Sequence, residues 1–223
     1  METRAERGVS CAPSLELSET PGGLLDVAIQ AACHRAELID VTVNELTATV
    51  RTDAHGQHTF RLPALAETVA VTVSLGAHIL TEKLSLSQNV ELQHVILAWK
   101  GGQIFSVRTT TYATAADAGR TIPVLQTAPV GVLTQLGSER GHAFEILSFP
   151  ARPPGAQGVI RLTVEAEVTE ANCGQDVSTL AYQTGYSGKL RPTEIDYTMP
   201  GCDRVGDIVR LQNLFRDMRL AAR

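Results

Sequence analysis

The 223-residue chain has little of what usually reveals an activity. No apolar run approaches the roughly 20 residues that cross a membrane as a helix. Its first residues, METRAERGVS, lack the apolar core of a signal peptide; a trimmed chain, a removed export segment and an anchor outside this chain are all open readings. Lysine is confined to Lys83, Lys100 and Lys189, and the net charge is −5. Neutralising phosphates takes a basic surface, so no nucleic-acid partner is expected. There is no GxxxxGK loop ending in Ser or Thr and no GxSxG elbow, which removes P-loop nucleotide chemistry and the commonest serine-hydrolase arrangement. Aromatic residues make up 4% of the chain, with Trp99 the single tryptophan. Hydrophobic residues at 43% and charged residues at 19% describe a globular chain, neither disordered nor membrane-spanning.

Cysteine is scarce, but the four present are informative. Cys11 and Cys33 form one sequence-local group, and Cys173 and Cys202 another. An even count, local spacing and the absence of CxxC argue for two disulfides, and so for an oxidising compartment, periplasmic or cell-surface. More than one pairing is open; locality favours Cys11–Cys33 with Cys173–Cys202. Each bridge would close a loop of about 20–30 residues and contribute about 3 kcal/mol. The alternative is four reduced thiols buried in the core.

What is abundant is β-pattern. Asp53-Ala54-His55-Gly56 has turn chemistry, with an Asp that bonds backbone N–H groups ahead of it and a Gly free to take positive φ. After it, Phe60 and Leu62 share one face of a strand and Thr59 and Arg61 the other, ending at Pro63. The residues before it, Ile39 to Val50, are rich in β-branched side chains, so a central hairpin is expected around this turn. Val69 to Leu75 alternates cleanly, and Ile79 to Leu86 follows a Gly76-Ala77-His78 turn. Val95 to Lys100 contains Trp99, and Gly101-Gly102 reads as a two-residue hairpin loop into Ile104 to Tyr112. Phe144 to Phe149 is a further strand. In Val159 to Val168 the odd positions read as wet and the even positions as core. Val132 to Leu136 and Phe215 to Leu220 fit either a short strand or a short helix. The expected fold is all-β: two Ig-like or transthyretin-like antiparallel sandwiches in tandem. A flexible leader covers 1–10, the first sandwich 11–92 and the second 93–223, with a long irregular loop at 113–142.

The pattern TDxxGxxxxxLPAL, with its flanking strands, resembles transthyretin-like or carboxypeptidase-regulatory-like sandwiches over about residues 12–92. That resemblance implies a fold and no activity. The segments LPALAE, VILAWKGG, VEAEVTEANCGQDV and YTMPGCDRVGDIVRLQNLFRDMRLA are similar to envelope proteins of alphaproteobacteria of the Rhodobacter and Roseobacter kind, which often carry the label "translocase". The resemblance implies an envelope location and, in that group, an N-terminal anchor and a Pro/Ala-rich linker that this sequence lacks. It implies no catalytic residues.

Several residue groups have the composition of a site but not its full pattern. His55 and His58 form an HxxH pair with no evident third ligand, and zinc needs three or four. Asp203, Gly206 and Asp207 lack the alternating oxygen ligands of a calcium loop. Glu165 and Glu167 share a strand face, unlike glycosidase carboxylates, which flank a cleft. No metal, cofactor or catalytic set is expected; a hydrolase is the remote enzymatic alternative. Trp99, Tyr112, Tyr182 and Tyr186 are the candidate interaction surface, with core packing the competing role for Trp99. The expected function is a non-enzymatic structural or docking subunit of a larger membrane-associated assembly. Its partners would be envelope proteins, and the membrane would be reached only through a partner or an absent anchor. The alternative is a module that binds cell-wall or capsular polysaccharide.

Overall fold

The computed structural model describes residues 11–87, 92–101, 105–112, 132–137, 141–150, 158–184 and 189–220. The described chain is all-β. In the N-terminal part it runs β1 (Ser14–Thr20), β2 (Leu24–Gln30), β3 (Leu38–Val43), β4 (Leu46–Arg51), β5 (Gln57–Pro63), β6 (Thr68–Leu75) and β7 (His78–Ser85). It continues as β8 (Leu92–Lys100), β9 (Phe105–Tyr112), β10 (Val132–Gly137), β11 (His142–Pro150), β12 (Gly158–Glu167), β13 (Asp176–Thr184) and β14 (Leu190–Thr198). A 3₁₀ turn at Cys202–Arg204 precedes β15 (Ile208–Gln212) and β16 (Met218–Leu220).

These strands form four antiparallel sheets. The orders are β1-β2-β5, β4-β3-β6-β7, a middle sheet β10-β11-β8-β13-β14, and β15-β12-β16 with β9 also on β12. Two buried clusters tie them together. The first joins the two N-terminal sheets to one face of the middle sheet, through Ile96, Leu136, Phe144, Ile146 and Tyr182. The second joins the other face, through Val95, Leu97, Trp99, Ala143, Leu147 and Phe149, to Phe105, Val107, Ile160, Leu162 and Val164. Successive strand residues point to opposite faces, so β8 and β11 feed both clusters alternately. The chain enters this shared sheet at residue 92.

Two turns differ from the hairpins expected from sequence. The Asp53–Gly56 turn has its foreseen chemistry: the Asp53 carboxylate accepts the His55 and Gln57 backbone N–H groups, both at 2.8 Å. Yet β4 pairs with β3 and β5 pairs with β2, so the turn is an arch from one sheet to the other. Gly56 sits at φ +77°, and a Cβ there would collide with the Ala31 carbonyl. Its own carbonyl accepts the Ala31 N–H at 2.8 Å. The arch is therefore pinned to the end of β2, which draws β5 away from β4. Likewise β8 and β9 lie in different sheets and do not pair as the expected Gly101-Gly102 hairpin; Gly102 lies outside the described residues. Within the expected irregular loop at 113–142, Val132–Gly137 is a strand, paired with β11 along its length; residues 113–131 lie outside the described residues.

The N-terminal sheets dock on the middle sheet through a tight contact. Thr49 Oγ1 donates to Asp40 at 2.6 Å and accepts the His142 N–H at 3.0 Å. A Cβ on Gly141 would collide with the Thr49 side chain, so this approach requires glycine.

Candidate functional site

The cysteines pair as locality favoured. Cys11–Cys33 ties the start of the described chain to the β2–β3 loop, and Cys173–Cys202 joins the turn after β12 to the turn after β14. Backbone bonds order the second turn further. Gly174 N–H donates to Pro200 at 2.8 Å, Arg204 to Gly201 at 2.9 Å, Gly206 to Val168 at 2.8 Å and Val168 to Asp207 at 2.9 Å. Asn172, nearly buried, accepts the Thr169 N–H and donates to the Glu167 carbonyl. Gly206 takes φ +96°, the left-handed conformation that favours glycine. On this ordered loop Val205 is 45% and Ile208 53% exposed. Asp203, Gly206 and Asp207 thus shape a turn, and Asp207 pairs with Arg204.

The aromatic candidates are placed differently from one another. Trp99, 6% exposed, packs edge-on to Phe105 with ring centroids 6.4 Å apart. Tyr182 is equally buried in the first cluster, where burial and the nearby Glu45 carboxylate raise its pKa. Tyr112 pairs with Val159 at the end of β9, and Tyr186 lies outside the described residues. The structure does not bring Trp99 and Tyr182 together on a surface: they belong to different cores.

The charged candidates are surface ion pairs. Glu165 accepts from Arg210 at 2.8 Å and from Arg108 at 3.2 Å, and the Arg210 bond is the chief reason its pKa is lowered. Glu167 does not share this network. His58 donates from Nδ1 to the Arg51 carbonyl at 3.0 Å and lies against Phe60, and desolvation lowers its pKa. No group of three or more His, Cys, Asp or Glu among the described residues could hold a metal ion.

Two buried polar groups are not among the sites expected from sequence, although a core contact is one of the roles expected for His94. Glu145, on β11, faces the second core at 4% exposure; its carboxylate accepts the Val107 N–H at 2.6 Å and the Ser106 hydroxyl at 3.3 Å. It bridges the middle sheet to an edge donor of β9. Burial is the main influence on its pKa, which is raised above 4.5 despite those bonds. Such a group favours the folded state most below about pH 4.5, and that contribution is lost as pH rises through the raised folded value. Glu145→Gln is expected to flatten this decline in a urea-midpoint series from pH 4 to pH 8. Glu145→Leu, which leaves the Val107 N–H unmet, is expected to cost about 1–3 kcal/mol.

The other group is His94, at 4% exposure, with Nδ1 2.7 Å from the Ser148 hydroxyl. Both lie inside the joint between the N-terminal and middle sheets. A single isolated His in an apolar stretch gives no sequence signal for such burial; its cross-strand partner Ser148 is 54 residues away.

Fold and site together define an all-β, doubly disulfide-bonded protein. No helix among its described residues is long and apolar enough to cross a membrane. No protein-family model matches the chain, and no curated protein matches it either.

Proposed function

We propose that the chain is a non-enzymatic structural or docking subunit of a membrane-associated assembly on the extracytoplasmic side of the envelope. The observation that carries this reading is the Cys173–Cys202 turn, which holds Val205 and Ile208 in solvent on a backbone already ordered by its own hydrogen bonds. Burying apolar side chains from a preorganised loop gains hydrophobic free energy at little conformational cost. Two disulfides support an oxidising compartment, and the similarity of the C-terminal segment to envelope proteins supports the location.

The occupant we infer is a protein with an apolar recess. Asp203, Arg204 and Asp207 flank the two side chains, two acids against one base, and an anionic lipid surface would repel that balance. Polysaccharide binding, the alternative, calls for exposed aromatic faces, and Trp99 and Tyr182 are buried.

The test is recovery from the native membrane fraction in mild detergent. The wild type is expected to bring down a defined protein complex at fixed stoichiometry. Val205→Asp combined with Ile208→Asp is expected to lower that recovery by about tenfold or more with an unchanged far-UV spectrum, since each buried aliphatic is worth about 1.5–3 kcal/mol. Undiminished recovery with the variant removes the turn from the contact. Wild-type chain recovered alone removes the docking reading itself.

A further inference from the structure

The joint between the N-terminal sheets and the middle sheet contains one buried imidazole. His94 stands opposite Ser148 in the β8–β11 register, on the face that carries Ile96 and Ile146 into the first core. Thr184 holds its backbone on both sides, accepting the His94 N–H at 2.8 Å and donating to its carbonyl at 3.4 Å. The ring lies on the face of the middle sheet that meets the N-terminal sheets: Nδ1 meets Ser148 at 2.7 Å, and the Ala64 backbone of the β5–β6 connection acts on its pKa. A neutral imidazole suits this arrangement, since a hydroxyl can either donate to Nδ1 or accept from it.

We propose that His94 is an acid-sensitive latch, whose protonation loosens the docking of the N-terminal sheets on the middle sheet. The hydrogen bonds alone would survive protonation, because the Ser148 hydroxyl can turn to accept. The positive charge is what the joint cannot accommodate. Among the described residues, no carboxylate on the elements packed around His94 is placed to pair with it. Glu67, on the β5–β6 connection, is exposed; Glu145, on β11, faces the opposite core. Asp176 and Lys100 lie at the far ends of β13 and β8, and Glu45 lies near Tyr182. Parting the joint would hydrate the ring without unpairing any sheet. Burial agrees with this, holding the pKa of the closed form down at about 4, against 6.5 for a free imidazole. Protonation therefore favours the open form progressively as pH falls from about 6.5 towards 4, by about a hundredfold in the opening equilibrium at pH 4.

The experiment follows the His94 ring by NMR titration of the whole protein, together with amide exchange corrected for intrinsic rate. The reporter is the His142 N–H, which donates across the joint to Thr49; the reference is the Val164 N–H in the second core. The expected result is a fall of tenfold or more in His142 protection between pH 6 and pH 4, tracking the ring titration, with Val164 protected throughout. In His94→Gln the fall should be absent. Three results would each overturn the latch: His142 protection constant through the ring's titration, an equal fall in His94→Gln, or a parallel fall at Val164, which would mark global unfolding. Should His94→Gln fail to fold, the wild-type comparison of ring, His142 and Val164 decides by itself.

Discussion

Phe144→Ala is expected to destabilise the protein by about 3–5 kcal/mol, the range for emptying a large aromatic site in a packed core. Phe144 has no exposed surface, and it fills the first cluster from a strand whose alternate residues, Ala143, Leu147 and Phe149, fill the second. The loss should therefore be felt in both cores. Denaturation followed by Trp99 fluorescence, which reports the second core, should shift together with the far-UV signal. A far-UV shift with an unmoved Trp99 transition would show that the two cores melt separately. It would also show that sharing β8 and β11 does not couple them.

Replacing Cys173 and Cys202 together by Ser is expected to cost about 3 kcal/mol, because the bridge spans 29 positions and its removal returns loop entropy to the unfolded chain. The larger consequence is local. Without the bridge, the turn that shows Val205 and Ile208 keeps its backbone bonds but loses its covalent tie to the turn after β12. Partner recovery should fall in this variant even under conditions where the sheets remain folded. A thiol assay on denatured, unreduced wild type should find no free thiol. Reactive thiols there would withdraw both bridges and the compartment argument built on them.

Strands were most legible in this sequence where apolar and polar residues alternate cleanly. Val69 to Leu75 and Val159 to Val168 alternate because one face meets the core and the other meets water or surface ion pairs such as Arg108–Glu165–Arg210. The cysteine pairing was legible because each bridge is local, spanning 22 and 29 positions. The turn residues at Asp53–Gly56 were legible as a turn but not as an arch. Asp53 and Gly56 fix only the local bend, while the choice between hairpin and arch depends on which strands β4 and β5 meet. Phe144 to Phe149 was legible as a strand. That both its faces are covered follows from sheets far away in sequence.

The candidate site divides in the same way. The turn chemistry of Pro200 to Asp207 is written in its Pro, Gly, Cys and Asp residues, whereas the exposure of Val205 and Ile208 depends on what fails to pack over them. Trp99 and Tyr182 carry rings that suit either a core or a platform, and only the packing of separate sheets placed them inside. Glu145 and His94 looked like ordinary polar residues in apolar strands, since their partners Val107 and Ser148 are remote in the chain.

By itself, then, the sequence determined an all-β chain with two local disulfides and identifiable turns, because side-chain alternation, turn preference and short-range cysteine spacing act over a few residues to a few tens. Only the tertiary structure decided that one sheet serves two cores, and which polar groups are buried between them. Those outcomes arise from contacts between distant strands, and a strand's own residues carry no record of what covers its second face.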